Sequence, residues 1–105
     1  MGKFVRENDE VEFISWMLKR GVSKGTIGSR RSGLRHFARW YYHSRGRVLT
    51  TGDLTNKDLD AYEMHLWGTR KPIRERHLLA GGTINSYLSA AKAFLEWAKE
   101  KTTRR

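Results

Sequence analysis

Hydrophobic residues recur along this 105-residue chain at steps of three and four, the spacing that lines up one face of an α-helix. The clearest series lies in the last quarter of the chain, where steps of 4, 3, 4 and 3 residues connect Ile84, Leu88, Ala91, Leu95 and Ala98. No segment sustains the two-residue alternation of a β-strand, and the single proline lies in a connection. The pattern therefore predicts an all-α protein.

Two helices are predicted in the first half of the chain from their capping residues. The first covers roughly residues 9–20, with Asn8 or Asp9 as its N-cap. The second follows the N-cap Ser23 and ends at Gly46. The predicted core residues are Val11, Ile14, Leu18 and either Trp16 or Met17 in the first helix, and Ile27, Leu34, Phe37, Ala38 and Tyr41 in the second.

Two further helices are predicted in the second half. The third begins at Thr55, where Asp58 three residues later forms an imperfect capping box, and it ends at Gly68. The fourth begins near Gly82 or Thr83. The predicted apolar residues of the third helix are Leu59, Tyr62, Met64, Leu66 and Trp67.

Chain length and composition fit a single domain over residues 1–105, with flexible tails at about 1–7 and 101–105. The basic connection 68–82 is long for a compact bundle. Since no apolar run approaches the roughly 20 residues of a membrane span and there are no cysteines, we expect a soluble, cytoplasmic protein.

The net charge of +10 is unevenly distributed along the chain. Residues 19–47 contain nine Lys and Arg and no Asp or Glu, whereas a solvated helix face normally mixes both signs. Charge segregated in this way indicates an anionic partner.

A sequence pattern in the second predicted helix returns 57 positions later in the fourth, as Thr-Ile-x-Ser-x-x-Ser-x-x-Arg/Lys-x-Phe-x-x-Trp at 26–40 and 83–97. The apolar positions of this repeat, with the tryptophans Trp40 and Trp97, are interpreted as core or core edge. Its polar positions are interpreted as a binding surface. Chance similarity between two amphipathic helices is the alternative explanation.

On a helical wheel, five residues of the second helix form one polar stripe: Lys24, Gly28, Arg31, Arg35 and Arg39. We call it the basic stripe. Its arginines repel one another by a few tenths of a kcal/mol per pair unless an anion lies beside them. Gly28 and Gly33 each cost up to about 1 kcal/mol inside a helix, which suggests close approach of DNA or of another helix. The alternative is a solvated basic face whose glycines serve packing.

The order and spacing of several short motifs resemble the core-binding domain of tyrosine recombinases, the phage-integrase family. The resemblance covers residues 10–100. Its strongest motifs are Gly21-Val22-Ser23, Leu34-Arg35-His36-Phe37, Asp53-Leu54-Thr55-Asn56-Lys57-Asp58-Leu59 and Thr83-Ile84-Asn85. The chain differs from the family at Arg30, where an aromatic residue is frequent, and in its longer connection 68–82.

The resemblance implies a four-helix SAM-like orthogonal bundle that forms one half of a clamp on double-stranded DNA. A separate C-terminal catalytic domain of the parent protein would supply the nucleophilic tyrosine, so this chain is not expected to be an enzyme. Other recombinase protomers on DNA are further expected partners, whereas the isolated domain is expected to be a monomer. When bound to DNA it is expected to associate with the nucleoid, and no association with a membrane is expected.

The candidate DNA-binding residues lie on the two repeat helices and on the connection between the third and fourth helices. Arginines and lysines would hold phosphates, with the second helix as the main anchor, and Asn85 would read a base. The full set is Ser23, Lys24, Thr26, Gly28, Arg31, Arg35, Arg39, Arg70, Lys71, Arg74, Arg76, Thr83, Asn85, Ser86, Ser89 and Lys92. No cofactor is expected, and the spacing of the four histidines does not indicate a metal site.

Two other functions compete with this hypothesis. One is a stand-alone, truncated integrase-like accessory or regulatory DNA-binding protein. The weaker one is an RNA-binding or protein-interaction module, because helical bundles of this kind serve many partners.

Overall fold

A computed structural model describes residues 4–52, 54–68 and 81–103, which form four helices. They are α1 (Glu7–Lys19), α2 (Lys24–Arg45), α3 (Asn56–Gly68) and α4 (Gly81–Thr103). Within these ranges the β pairing is limited to an isolated parallel bridge between Val5 and Leu49. The predicted all-α, four-helix bundle is confirmed.

The bundle is built around the contact between α2 and α4, the two helices that carry the repeat. Gly33 of α2 is buried, and a Cβ atom at this position would lie only 2.5 Å from the Cβ of Ala90. The missing side chain therefore lets the helices approach closely, which decides the role of Gly33 in favour of helix packing. The predicted apolar face of α4, from Ile84 to Ala98, is buried as expected.

Aromatic rings from every helix fill the core around this contact. Phe13 of α1 meets Phe94 of α4 edge to face, with ring centroids 5.3 Å apart. Phe37 of α2 lies 4.7 Å from Tyr62 of α3. Trp97 is buried in the same core and Trp40 lies half-buried at its edge, as predicted for both.

Local capping signals mark both ends of α2 and the start of α3 as predicted. The Ser23 hydroxyl accepts a hydrogen bond from the Thr26 amide at 3.3 Å, and Gly46 closes α2 in a left-handed conformation with φ of 75°. At the start of α3, the Asp58 carboxylate accepts hydrogen bonds from the Thr55 amide at 2.9 Å and from the Thr55 hydroxyl at 3.2 Å. The half of the predicted capping box that depends on Asp58 is therefore formed.

The predictions for α1 are wrong in two respects. The helix begins earlier than predicted, after Arg6, which makes no side-chain cap. Its buried face carries Phe13 and Met17, while Val11 and Leu18 are 58% and 54% exposed. Asp9 and Glu10, two acidic residues near the start of α1, pair with cations of α4 and α2 respectively. The face of α1 that carries these two acids is therefore turned towards the bundle.

Parts of the predicted tails lie within the described residues. Val5 is buried and pairs with Leu49, while α4 continues past Lys101 to Thr103. The Lys101 ammonium donates hydrogen bonds to Glu12 at 2.9 Å and to Asp9 at 3.3 Å. The Glu12 bond is the main cause that raises the pKa of Lys101. Val5 and Lys101 therefore both contact the bundle.

Two of the apolar residues predicted for α3 lie on the surface, since Met64 is 75% and Trp67 39% exposed. Tyr62 and Leu66 are buried as predicted. In the ranges given above, none of the helices combines the length and apolar character needed to cross a membrane.

Candidate nucleic-acid interface

The structure places the predicted DNA-binding residues of α2 and α4 on the protein surface. Exposed residues are Ser23, Lys24, Thr26, Gly28, Arg31, Arg35 and Arg39 on and before α2, and Asn85, Ser86, Ser89 and Lys92 on α4; Thr83 is half-buried. Arg70, Lys71, Arg74 and Arg76 lie outside the described residues.

The basic stripe of α2 faces a buried acid from α1. The Glu10 carboxylate accepts hydrogen bonds from the Nε atoms of Arg31 at 3.0 Å and Arg35 at 3.2 Å. Its side chain is only 3% exposed, whereas those of the two arginines are about half exposed. The repulsion predicted between these arginines is therefore compensated by an anion within the fold, the carboxylate of Glu10.

A shallow cleft of about 310 Å³ lies between the first half of α2 and the first half of α4. We call it the serine cleft, because hydroxyl groups from both helices line it. Its residues are Gly25, Thr26, Ser29 and Arg30 of α2, and Ser86 and Ser89 of α4. Hydroxyls can donate hydrogen bonds to phosphate oxygens, so this surface has the chemistry to position a nucleic-acid backbone.

A second cleft of about 360 Å³ adjoins the first and shares Arg30 and Ser89 with it. We call it the cationic cleft. Its charged lining consists of Arg20 just after α1, Arg30 of α2, and Lys92 and Glu96 of α4, with Trp16 of α1 beside them. Arg20 lies close to the carboxylates of Glu96 and Glu100, so the positive charge of the cleft comes from Arg30 and Lys92.

The basic stripe and the serine cleft lie on different sides of α2. At 100° per residue, Arg35 and Ser29 are about 120° apart around the helix. Gly25 and Gly28 lie between them, and a Cβ atom at either position would meet nothing within 4 Å. The candidate interface is therefore a broad outer face of α2 that extends from the basic stripe to the serine cleft. Near the start of the helix, this face carries no side chain at Gly25 or Gly28.

Within the described residues, carboxylates from other parts of the chain pair with at least four of the nine basic residues of the acid-free segment 19–47. Besides Arg31 and Arg35, Arg20 pairs with Glu100 at 3.4 Å and Arg45 with Asp58 at 2.9 Å. Within the described parts of the chain, no carboxylate pairs with Lys24, Arg30, Arg39 or, on α4, Lys92. On the described parts of α2 and α4, the positive charge open to a ligand thus lies along the outer face of α2 and in the cationic cleft.

Of the four histidines, His36 packs within the bundle, His43 and His65 are exposed, and His77 lies outside the described residues. His36 stacks on Tyr87 with ring centroids 4.1 Å apart, and a 2.7 Å hydrogen bond joins its Nδ1 to the Tyr62 hydroxyl. Burial is the main cause that lowers the pKa of His36, and burial likewise raises the pKa of the Tyr62 phenol. Among residues 4–52, 54–68 and 81–103, no group of three or more His, Asp or Glu side chains is arranged to hold a metal ion.

Several residues of this surface were absent from the predicted set, and Arg30 and Glu10 are the most important of them. Arg30 lines both clefts, although from the sequence it stood out only as a departure from the family pattern. Its presence in the acid-free segment was the available signal. Glu10 was interpreted only as a helix-start residue, and no local pattern indicates that it contacts arginines more than 20 positions away.

Comparison of the chain with models of protein families, with curated proteins and with solved structures gives no significant match. The resemblance to recombinase core-binding domains therefore stays a prediction. Support for any function must come from the residues of the site itself.

Proposed function

We propose that this chain is a double-stranded DNA-binding module of the kind found in site-specific tyrosine recombinases. The observation that carries the proposal is the outer face of α2, where an open surface bare of side chains at Gly25 and Gly28 lies between cations and hydroxyl groups. DNA backbones are bound by this combination, because Lys and Arg neutralise phosphates while hydroxyls and amides fix their positions.

The two repeat helices would contribute differently to DNA binding. Lys24 and Arg39 on α2 are exposed cations without carboxylate partners in the described chain, which suits them to hold phosphates. Asn85 occupies the position of the repeat that corresponds to Gly28, and it is exposed on α4. Since an Asn side chain can bond adenine through two hydrogen bonds, it is the candidate for base recognition.

In this proposal the module forms one half of a clamp, and a catalytic domain of the parent protein cleaves and joins the strands. The role assigned to this chain is binding and positioning on the arms of a recombination site. Affinity for random DNA is expected to be modest, since one half of a clamp makes only part of the contacts.

The test is duplex binding by fluorescence anisotropy for the unmodified chain and for the variants Lys24→Glu and Lys92→Glu. Both residues are exposed and have no carboxylate partner in the described chain, so each variant should lose affinity without losing the fold. Lys57→Glu on α3 is the matched control, because it changes the charge equally on a helix outside the proposed surface, next to Asn56, which bonds Lys99 near the C-terminal end of α4.

The salt dependence gives a second readout. If about five phosphates are neutralised, log affinity should fall against log salt with a slope of about −4 to −5. Equal affinities for Lys24→Glu, Lys92→Glu and the Lys57→Glu control would contradict the proposal. So would preferential binding of structured RNA over duplex DNA in direct competition.

A further inference from the structure

The cationic cleft contains a guanidinium whose donors are poorly satisfied. Arg30 is half-buried, and its hydrogen bond in the described chain goes from Nη1 to the Met17 sulfur at 4.0 Å. A thioether is a weak acceptor, whereas a guanidinium carries five N–H donors. Partial burial of a charge without a strong acceptor is unfavourable, so this position favours an anion.

Arg31, the next residue in the chain, shows the opposite situation. Its Nε donates to the buried carboxylate of Glu10 at 3.0 Å, so its charge is already compensated within the fold. The two adjacent arginines point to different sides of α2, one towards an acid and the other towards a cleft with excess positive charge. Of these two arginines, Arg30 is therefore the one that would gain an acceptor from a bound anion.

The neighbours of Arg30 complete the site. Lys92 lines the same cleft and has no carboxylate partner in the part of the chain that is described. Glu96, the carboxylate of the cleft, lies 3.8 Å from Arg20, which partly neutralises it. Ser89 adds a hydroxyl at the junction of the two clefts. Two cations and one hydroxyl thus line the same concave surface.

We propose that Arg30, Lys92 and Ser89 form a phosphate-binding site at the junction of the serine and cationic clefts. Arg30 provides paired N–H donors that match the geometry of phosphate oxygens, and Lys92 provides a point charge. Among the described residues, this makes the junction of the clefts a stronger phosphate anchor than the arginines held by Glu10. The assignment of that phosphate to a DNA backbone rests on the proposed function, whereas the anion site itself does not.

Two titrations of the full chain, followed by ¹H–¹⁵N NMR, separate these claims. Inorganic phosphate should give saturable shifts at the Arg30 side-chain Nε–H and at the amides of Ser89 and Lys92. A short random-sequence duplex should shift the same signals together with the outer face of α2. Arg30→Ala should abolish the saturable phosphate shifts, and Lys92→Ala should weaken phosphate binding even if the half-buried Arg30 proves sensitive for folding.

For the duplex, each of these two variants should weaken binding roughly tenfold, as expected for one charge-assisted hydrogen bond. Each should also reduce the magnitude of the salt slope by about one. Lys57→Ala is the control for the change in net charge and should leave both quantities unchanged.

The two arms fail in different ways. Phosphate shifts that do not saturate, or that persist in both Arg30→Ala and Lys92→Ala, would overturn the site. Duplex binding with unaltered affinity in both variants would overturn the assignment of this phosphate to the DNA backbone, while leaving the proposed function standing. Saturable phosphate binding with no duplex binding would keep the anion site and remove the proposed function.

Discussion

Helices α2 and α4 carry the same residue pattern 57 positions apart, but they differ at their charged positions. The apolar positions agree, since Ile27 and Ile84 are both buried, as are Phe37 and Phe94. The outer positions do not agree: Leu88, buried on α4, corresponds to the exposed Arg31 on α2. The repeat thus defines two similar core faces and two different surfaces.

Helix α1 accounts for much of this difference. Near its start, Glu10 pairs with Arg31 and Arg35 of α2. At its other end, Arg20 pairs with Glu96 of α4, the residue that corresponds to Arg39 in the repeat. The α1 region therefore pairs with cations on α2 and with a carboxylate on α4. As a result Arg35 of α2 has a carboxylate partner, whereas Lys92, the corresponding residue of α4, has none in the described chain.

Reversing the charge at the two corresponding positions should have unequal effects on stability. Arg35→Glu places a second carboxylate beside buried Glu10 and removes one of its partners, so we expect a loss of about 2 to 3 kcal/mol in the free energy of unfolding. Lys92→Glu changes an exposed residue and should stay within about 0.5 kcal/mol of the unmodified chain. Urea unfolding followed by circular dichroism measures both.

The double variant Glu10→Gln with Arg35→Glu is the control for this interpretation. It removes the repulsion between the two carboxylates and should recover part of the lost stability. If Arg35→Glu and Lys92→Glu are equally stable, the contact between Glu10 and the basic stripe does not stabilise the fold. In that case a loss of DNA binding in Arg35→Glu can be attributed to the interface. If the variant is destabilised, the same loss could result from unfolding.

The two copies meet directly at corresponding positions, Gly33 and Ala90, and this contact gives the second prediction. Gly33→Ala adds a Cβ atom 2.5 Å from that of Ala90, and overpacking of this kind costs about 1 to 3 kcal/mol. The better helix propensity of Ala returns up to about 1 kcal/mol. Thermal unfolding should therefore show a net loss of stability.

Exchanging the two residues sharpens the test. In the double variant Gly33→Ala with Ala90→Gly, one methyl group again separates the helices, so the double variant should be more stable than the sum of the two single changes predicts. A double-mutant cycle measures this coupling. Additive effects, or a stabilised Gly33→Ala, would show that the close approach of α2 and α4 at this point is incorrect.

Features that depend on adjacent residues could be predicted from the sequence, and features that depend on distant ones could not. Three predicted caps each involve at most a few neighbouring positions, and the structure contains all three. They are the N-cap Ser23, the C-terminal Gly46 and the bond of the Asp58 carboxylate to the Thr55 amide. The buried face of α1 was mispredicted because the partners of its acids, such as Lys101, lie far along the chain. Arg30 was omitted for the same reason, since three different helices build its cleft.

A substitution at Gly28 separates the structural from the functional interpretation of the basic stripe. Unlike Gly33, it has open space around its Cβ position, so Gly28→Ala should stabilise the fold by about 0.5 to 1 kcal/mol through helix propensity alone. If DNA approaches the bare surface of α2 closely, the added methyl group should nevertheless weaken duplex binding, measured at fixed salt. Stability and affinity would then change in opposite directions, which no loss of folding can produce. If affinity is unchanged while stability rises, the face around Gly28 is not in close contact with DNA, and the interface shifts towards the clefts between α2 and α4.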